Sequence, residues 1–377
     1  MKKLYIIAGE ASGDLHASNL MRALKNEIEV DFRFWGGDNM ATVAGKPVKH
    51  IADLAFMGFI EVIANLRTIL GNIKFCKNDI LAYQPDALIL VDYPGFNLRI
   101  AKWAKEHGIP VIYYISPQVW AWKQKRVHTI RKVVDKMMVI LPFEEAFYQK
   151  FGMEVSFVGH PLIDAIEQFK ERTEKVDLYE KHGLDERPVI ALLPGSRKQE
   201  IQTKLPIMLN SLKGLEHYQF VVAGAPAMNA SFYDQFMEMN KNVRIIHGET
   251  YDLLSIATAA LVTSGTATLE TALFRVPEVV CYKGSTISYT IAKRLVKIDY
   301  ISLVNLILDR EAVKELIQHE CSAENIAIEL RKILPDGPNH NKMLADFDEL
   351  ISELGEKGAS EKAALEVTAF LNAGSSS

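Results

Sequence analysis

The chain contains only three cysteines, Cys76, Cys281 and Cys321, among its 377 residues. Their spacing matches neither a disulfide framework nor a paired zinc motif, which excludes a fold organised by disulfides or structural zinc. Such cysteine usage is typical of proteins in the reducing cytoplasm. The sequence also lacks any run of about 18 apolar residues, so a membrane-spanning helix is not predicted.

The chain has no marked excess of one charge. Its 43 basic and 47 acidic residues leave a formal net charge of −4, which gives no reason to expect nucleic acid as a partner. The apolar run before Gly9 is only about five residues long, too short for the core of an export signal, and is predicted to be a strand. Because 377 residues exceed one typical core and 49% are hydrophobic, two globular domains are predicted.

An acidic loop follows the predicted first strand, Leu4–Ala8, and precedes an amphipathic helix. This order is typical of the start of a doubly wound α/β domain. The glycine spacing of the loop does not match a dinucleotide fingerprint, and the carboxylates of Glu10 and Asp14 would repel a pyrophosphate. We interpret Glu10, Ser12 and Asp14 as contacts for sugar hydroxyls or as a base, with helix capping as the alternative for Asp14.

The segment from Leu54 to Phe75 is unusually apolar and is bordered by cations. Taken alone, the helical spacing of its apolar residues favours core packing. A broad apolar face beside cations also suits a lipid chain or an anionic membrane surface, with Met57 and Phe59 as contact residues.

A further carboxylate follows the continuous apolar run Ala87–Val91, which is predicted to be a buried parallel strand. Asp92 stands at the carboxyl end of this strand, where open α/β sheets bind ligands. The alternative is that Asp92 caps a helix beginning near Asn97.

Two tryptophans and several cations follow the next predicted strand, Val111–Ile115. In this stretch, Ser116 to Arg126, the aromatic rings have the chemistry to stack on a sugar face, and the cations after Trp122 have the chemistry to pair with a phosphate. Gln118 and Trp120 are its candidate contacts. A surface-packed aromatic pair is the alternative.

In the second half, an apolar strand ends at Leu193 and turns through Pro194-Gly195. Ser196 has capping-box spacing to Gln199, so a helix with anion-attracting N–H groups is predicted to start at Ser196. Arg197 adds a planar, permanently charged fork suited to phosphate. The alternative is an ordinary strand–turn–helix with Arg197 in solvent, and a Walker loop is excluded because Gly-Lys-Ser/Thr is absent.

A second small-residue loop follows the predicted strand Ala259–Thr263. Its backbone N–H groups, at a helix start, are also suited to phosphate. Glu270 lies about one helical turn after this loop, and complementing the helix dipole is its alternative role. The loop residues are Ser264, Gly265, Thr266 and Ala267.

The remaining patterns set the predicted domain layout. The charged region 167–186 is predicted to link a domain over 1–166 to one over 187–344, and helices follow over 345–372. Pro206 favours a helix of one short turn after Arg197, with a second helix starting at Pro206. The segment Asp309–His319 is predicted to be a charged helix.

In combination, six motifs in one order resemble lipid-A-disaccharide synthase from Leu4 to about Leu334. Each motif alone is weak, whereas the ordered set is highly specific. The motifs are Ala8-Gly9-Glu10-Ala11-Ser12-Gly13-Asp14, Asp92-Tyr93-Pro94-Gly95-Phe96-Asn97, Ser116-Pro117-Gln118-Val119-Trp120-Ala121-Trp122, Leu141-Pro142-Phe143-Glu144, Gly159-His160-Pro161 and Leu193-Pro194-Gly195-Ser196-Arg197.

The resemblance implies two doubly wound Rossmann-like domains facing a cleft, the GT-B type. It implies inverting transfer from UDP-2,3-diacylglucosamine to the 6-hydroxyl of 2,3-diacylglucosamine 1-phosphate (lipid X), giving a β-1′,6-linked disaccharide and UDP. No cofactor and no metal are implied. The implied location is cytoplasmic, peripheral at the inner membrane, and the C-terminal helices return to the first domain or exchange within a homodimer.

The resemblance also implies residue roles. Asp92 is the base on the attacking hydroxyl, Glu10 is the second candidate, and Arg197 stabilises departing UDP. Glu270 binds the ribose hydroxyls. The UDP-sugar side comprises Gly195, Ser196, Arg197, Ser264, Gly265, Thr266, Ala267, Glu270 and Asn305, and the acceptor and lipid side comprises Ser12, Asp14, Asn97, Gln118, Trp120, Met57 and Phe59.

Two alternatives remain open on the sequence. One is another UDP-N-acetylglucosamine enzyme of the same fold, an epimerase or a transferase making a peptidoglycan precursor. The loops at Gly9–Asp14 and Ser116–Trp122 argue against it. The other is a non-catalytic, two-domain ligand-binding protein, against which the missing export signal argues.

Overall fold

The computed structural model describes residues 1–53, 66–121, 124–172, 177–226, 228–237, 242–284 and 299–374. The chain divides into two compact units, Met1–Asp164 with Glu356–Ser377, and Ala165–Gly355. This boundary lies two residues before the predicted end of the first domain at 166. The predicted linker, 167–186, belongs to the second unit.

The strands alternate with helices along both units. The strands are β1 Lys2–Ala8, β2 Val30–Gly36, β3 Lys49–His50, β4 Ala87–Val91, β5 Val111–Tyr114, β6 Lys136–Val139, β7 Ser156–Phe157, β8 Val189–Leu193, β9 Gln219–Gly224, β10 Val243–His247, β11 Ala257–Thr263, β12 Glu278–Tyr282 and β13 Lys314–Ile317. The helices are α1 Ala11–Glu27, α2 Asp38–Ala44, α3 Leu66–Tyr83, α4 Pro94–Glu106, α5 Val127–Val133, α6 Phe143–Gln149, α7 Pro161–Glu171, α8 Leu178–His182, α9 Lys198–Asn210, α10 Ser231–Met237, α11 Thr250–Ile256, α12 Thr266–Leu273, α13 Leu303–Leu308, α14 Ala323–Ile333, α15 His340–Leu354 and α16 Ala359–Gly374.

The described part of the first unit forms a parallel sheet with the order β3-β2-β1-β4-β5-β6-β7. Its central strands are apolar on both faces, as expected for a sheet covered by helices on both sides. α3, α4 and α5 cover one face, and α1 covers the other together with the C-terminal α16. The carboxylate of Asp164 accepts hydrogen bonds from the N–H groups of Gly358 and Ser360 (2.7 and 2.9 Å), which holds the start of α16 in this unit.

The described part of the second unit repeats the pattern with the order β10-β9-β8-β11-β12-β13. In both sheets the strand order reverses once, between β1 and β4 and between β8 and β11. Ligands of doubly wound folds bind at this reversal, beyond the carboxyl ends of the strands. The four loops singled out in the sequence, at Gly9, Asp92, Gly195 and Ser264, follow these four strands.

Two predicted elements are wrong. The segment Asp309–His319 contains β13 rather than a helix, because Leu316 is buried and β13 pairs with β12 as the edge strand. α9 is one helix that runs through Pro206, although an interior proline removes one helical hydrogen bond. Its apolar side chains Ile201, Leu205 and Met208 are all buried, and this packing favours one continuous helix.

Glu278, at the start of β12, is a fully buried carboxyl group. Neither of its carboxyl oxygens has a hydrogen-bond partner among the described residues. Burial, reinforced by nearby Glu315, raises the pKa of Glu278 well above its ordinary value of 4.5. Burial therefore favours the protonated, neutral form of this side chain over the charged form.

Glu278→Gln is expected to stabilise the protein at neutral pH. The pKa of Glu278 is higher in the folded protein than in the unfolded chain. The free energy of unfolding of the wild type is therefore unaffected by this group below pH 4.5, and it falls as the pH rises from 4.5 towards the folded-state pKa. Across that window the difference between variant and wild type should grow by about 1.4 kcal/mol per pH unit. Denaturant unfolding at a series of pH values checks this, and a pH-independent difference would contradict it.

Within the ranges that the structure describes, none of the helices combines the length and the apolar character needed to cross a bilayer.

Candidate functional site

Asp92 lies at the strand reversal of the first sheet, in a strained backbone conformation. Asp92 and the next residue, Tyr93, have left-handed φ angles of 44° and 47°. Such angles cost roughly 1–3 kcal/mol in a non-glycine residue and persist where the surroundings impose them, often at functional sites. The turn sets Asp92 at the mouth of the sheet and starts α4 at Pro94.

Two buried side chains hold this turn. The Tyr113 hydroxyl donates a hydrogen bond to the Asp92 carbonyl oxygen at 2.5 Å, and Asn97 Nδ2 donates to the same oxygen at 2.8 Å. Asn97 Nδ2 also lies 3.2 Å from the carbonyl oxygen of Val91 and 3.4 Å from that of Ile7. Because Asn97 is fully buried, the structure gives it the role of tying β1 to the Asp92 turn. Its predicted contact with the acceptor stays a prediction.

The Asp92 carboxyl group is poised to titrate near neutral pH. Burial is the main cause that raises its pKa to about 6, and the carboxylate of Glu10 adds to the rise. A hydrogen bond from the Tyr93 N–H group opposes it. A general base works best with a pKa just below the working pH, so this environment suits proton abstraction.

Gly9 permits a close approach between the two loops at this edge. A Cβ atom on Gly9 would lie 2.3 Å from Cδ1 of Tyr93, a distance that side chains do not tolerate. The Tyr93 ring therefore packs directly on the Gly9 backbone, and it stacks on Phe96 with ring centroids 5.6 Å apart. This packing brings Glu10, the residue after Gly9, beside Asp92.

Tyr113→Phe is expected to lower kcat about fivefold, because loss of one hydrogen bond of about 1 kcal/mol loosens the Asp92 turn. The affinity for UDP should not change. Tyr114→Phe is the matched control, since Tyr114 belongs to the opposite face of the sheet. Steady-state kinetics and a UDP-binding measurement together check that kcat falls while UDP affinity stays the same. An unchanged kcat would show that Tyr113 does not position Asp92.

Asp14 has a structural role in the packing of α2. Its carboxylate accepts hydrogen bonds from the backbone N–H groups of Gly37 (2.6 Å), Asn39 (3.0 Å) and Met40 (3.1 Å) and from the Asn39 amide (2.9 Å). It thus caps α2 rather than its own helix, because α1 begins at Ala11, before Asp14. Asp14 is only 2% exposed, whereas Ser12 is exposed.

The stretch that follows β5, from Ser116 to Trp122, contains both buried and exposed side chains. Trp120 is buried and packs edge-on against Phe143, with ring centroids 5.0 Å apart. Gln118 is exposed. Nearby, burial raises the pKa of Glu144 to about 7, and the N–H groups of Leu141 and Ile140 oppose the rise. Met57, Phe59 and Trp122 lie outside the described residues.

The reversal of the second sheet opens into a cavity of about 320 Å³. Seven of the residues predicted for the UDP-sugar side line it. They are Gly195, Ser196, Ser264, Gly265, Thr266, Ala267 and Glu270. Gly195 has a φ of 113°, and Gly265 has a φ of 150° at the N-cap of α12, so the turns on both sides use backbone conformations that favour glycine.

Glu270 lies in the wall of this cavity and is held by Tyr251. The Tyr251 hydroxyl donates a hydrogen bond to Glu270 Oε1 at 2.8 Å. Burial raises the pKa of Glu270, and the hydrogen bond from Tyr251 opposes the rise. The other carboxyl oxygen, Oε2, makes no hydrogen bond among the described residues and retains its capacity to accept one.

The start of α9 differs from the prediction. The helix begins at Lys198 with Arg197 as its N-cap residue and no side-chain cap, so the predicted cap at Ser196 is wrong. The Arg197 guanidinium is 64% exposed and lies 3.4 Å from the Glu200 carboxylate. Among the described residues that line the cavity, the charged side chains are those of Glu200 and Glu270.

Asn305, predicted on the UDP-sugar side, is fully buried and holds the second sheet together. Its Nδ2 donates to the carbonyl oxygen of Val313 (2.8 Å) and to Glu315 (2.9 Å), and its Oδ1 accepts from the N–H groups of Ala312 and Val313. The structure thus uses the Asn305 amide to join α13 to β13, and its contact with a sugar stays a prediction.

Among the residues that can be described, no cluster of three or more His, Cys, Asp and Glu side chains is placed to hold a metal ion.

Sequence reasoning missed three residues that shape the two sheet edges: Tyr113, Tyr251 and Glu200. Tyr113 is the third residue of a buried apolar strand, where a tyrosine reads as core. Tyr251 is the second residue of α11, 19 residues before Glu270 in sequence. Glu200 carried a usable signal, because it stands three residues after Arg197, a spacing that brings side chains together on a helix.

Comparison with known proteins gives a consistent result. The sequence model of the lipid-A-disaccharide synthetase family matches residues 4–370. The lipid-A-disaccharide synthase of Syntrophus aciditrophicus is 43% identical over 372 residues, which cover 97% of this chain and 96% of that protein.

Solved structures support the fold. The S. aureus MnaA–UDP complex aligns with a TM-score of 0.72 at 14% identity, over 99% of this chain and 97% of that one. The UDP-GlcNAc 2-epimerase from Neisseria meningitidis bound to UDP-GlcNAc aligns with a TM-score of 0.70 at 14% identity, over 99% and 100%. The predicted fold class, two doubly wound α/β domains of the GT-B type, is confirmed.

Proposed function

This chain belongs to the lipid-A-disaccharide synthetase family and is a glycosyltransferase, and from that membership we propose how its two sheet edges divide the reaction. The donor is UDP-2,3-diacylglucosamine, the acceptor is 2,3-diacylglucosamine 1-phosphate, and the products are the β-1′,6-linked disaccharide 1-phosphate and UDP. Two observations carry the proposal: the half-buried carboxyl of Asp92, with its raised pKa, at the strand reversal of the first sheet, and the glycine-lined cavity at the strand reversal of the second.

The UDP moiety of the donor binds in the cavity of the second unit. The backbone of the loops at Gly195 and Gly265 is accessible because neither residue has a Cβ atom, and the start of α12 presents N–H groups to phosphate oxygens. Glu270 binds the ribose hydroxyls through its free oxygen. Arg197, at the rim, neutralises charge that develops on the departing diphosphate.

The acceptor hydroxyl is activated in the first unit. As the 6-hydroxyl oxygen attacks the anomeric carbon, its proton passes to the Asp92 carboxylate and the bond to the UDP oxygen breaks, so UDP leaves with the bonding electron pair. Attack opposite the leaving group inverts the anomeric centre. Glu10 tunes Asp92, because its negative charge makes Asp92 a stronger base.

We also propose that α3 contacts the cytoplasmic face of the inner membrane peripherally. Leu70, Phe75 and Leu81 are about half exposed (53%, 50% and 47%), so α3 presents three large apolar side chains to solvent. Arg67 and Lys74 are exposed on the same helix. Apolar residues among cations suit an interface with anionic lipid, from which acylated substrates would be taken.

Replacing Leu70 and Leu81 together by Asn is expected to weaken binding to phosphatidylglycerol-containing vesicles roughly tenfold, since about 1.4 kcal/mol of apolar burial is lost at minimum. Leu365→Asn is the matched control, because Leu365 is equally exposed (52%) but lies on α16. Vesicle sedimentation measures both. Equal binding of the α3 variant and the control would reject this contact surface.

The reaction is tested by incubating the protein with each acceptor and donor pair and identifying the products by mass spectrometry. Release of UDP should require both acylated glucosamines and yield a disaccharide. An epimerase of the same fold would instead convert UDP-N-acetylglucosamine without an acceptor. Conversion of the unacylated donor alone, or UDP binding without turnover of the acylated pair, would overturn the proposal.

A further inference from the structure

The cavity proposed for the donor contains a carboxylate beside one of the two glycine turns proposed to hold the diphosphate. Glu200 lines the cavity together with Gly195. A Cβ atom built on Gly195 would lie 2.5 Å from Glu200 Oε2, so this carboxylate oxygen rests against the Gly195 backbone. A carboxylate and a phosphate present similar acceptor oxygens, and both are attracted to the same donors.

Glu200 also holds the cation that the proposed reaction needs. Its Oε1 lies 3.4 Å from Arg197 Nη1, and this is an i,i+3 pair at the first turn of α9. The Arg197 guanidinium has no other hydrogen bond or ion pair among the described residues. The guanidinium is therefore directed to the Glu200 carboxylate.

Lys204, one turn further along α9, provides a second cation near the same carboxylate. Lys204 is only 2% exposed, and burial lowers its pKa while Glu200 raises it. A buried ammonium group is costly without an opposite charge nearby. Glu200 thus lies on the helix face between Arg197 and Lys204, and it retains a counter-ion if Arg197 moves away.

We infer that Glu200 is an internal counter-anion of the donor site. Its carboxylate pairs with Arg197 in the free protein, beside the position proposed for the diphosphate, and Arg197 pairs with UDP instead when the donor binds. This inference rests on the proposed binding of UDP in the cavity. No covalent bond changes: Arg197 exchanges the Glu200 carboxylate for phosphate oxygens, and Glu200 stays beside Lys204. The exchange keeps the Glu200 carboxylate paired with a cation at all times. It also makes UDP compete with Glu200 for Arg197.

Removal of the competing charge should strengthen UDP binding. Isothermal titration calorimetry is expected to give an affinity for UDP about three- to tenfold higher in Glu200→Gln than in wild type, on the order of one unit of log K. Uridine, which has no phosphate, should bind both proteins equally. Glu324→Gln is the matched control, because Glu324 is an exposed first-turn glutamate of α14 in the same unit.

Glu200→Asp is the second variant, which keeps the first-turn charge of α9 but withdraws the carboxylate from Gly195 by one methylene group. It should strengthen UDP binding to a smaller extent. Weaker or unchanged UDP binding in both variants, with normal binding in wild type, would overturn the exchange while leaving the donor site intact. Absence of UDP binding in wild type and in Glu324→Gln would overturn the donor site itself, and the exchange with it.

Discussion

Asp92→Asn should lower kcat about a thousandfold while UDP binds as tightly as in wild type. Positioned general bases contribute about 10²–10⁴ to rate, and asparagine keeps the shape of the side chain but accepts no proton. The strained turn at Asp92 and Tyr93 should survive, because its hydrogen bonds from Tyr113 and Asn97 go to the Asp92 main-chain oxygen.

The control for this variant is Glu106→Gln, which removes one exposed negative charge at the end of α4. Single-turnover kinetics with a saturating acylated donor isolates the transfer step from product release. A kcat within a few-fold of wild type for Asp92→Asn would assign the base elsewhere, with Glu10 as the next residue to test.

Arg197→Ala should lower kcat/KM by about 10²–10³, the usual cost of removing one preorganised group that stabilises a developing negative charge. The loss should exceed that of a simple binding residue for a second reason. Without Arg197, the Glu200 carboxylate faces the cavity with one cation fewer, so it opposes the diphosphate more strongly.

Two further variants separate these contributions. Arg197→Lys keeps the charge but loses the planar fork, and an intermediate activity is expected because bidentate contacts to phosphate are lost. Addition of Glu200→Gln to Arg197→Ala should restore part of the UDP affinity without restoring kcat. Unchanged product inhibition by UDP in Arg197→Ala would exclude Arg197 from the donor site.

The strands were the most predictable part of the molecule. Ala87–Val91 has the predicted bounds, and β8 ends at Leu193 as predicted, because strands of a covered parallel sheet are short apolar runs. Since ligands bind at the carboxyl ends of these strands, the loops at Asp92 and Gly195 were also identifiable. β13 was missed because the charged residues Lys314 and Glu315 conceal an edge strand.

The roles of individual polar side chains were less predictable. Asn97, Asn305 and Asp14 were all expected near ligands, yet each is buried and bonded to main-chain groups of another element: Asn97 to Ile7 of β1, Asn305 to Val313 before β13, and Asp14 to Gly37 before α2. Such partners are joined only by the tertiary fold, so no local pattern indicates them. The same reason applies to the Glu200 carboxylate, whose contact with Gly195 depends on how α9 leaves its strand.

The pH dependence of kcat/KM in wild type and in Glu10→Gln tests two claims together: that Asp92 is the base, and that Glu10 raises the pKa of Asp92. In wild type, activity should rise about tenfold per pH unit below pH 6 and level off above it, because Asp92, with a pKa of about 6, must lose its proton. In Glu10→Gln the inflection should move to lower pH, since a neighbouring negative charge is removed. An inflection at the same pH in both proteins, or a profile that is flat through pH 6, would contradict the assignment of Asp92 as a base tuned by Glu10.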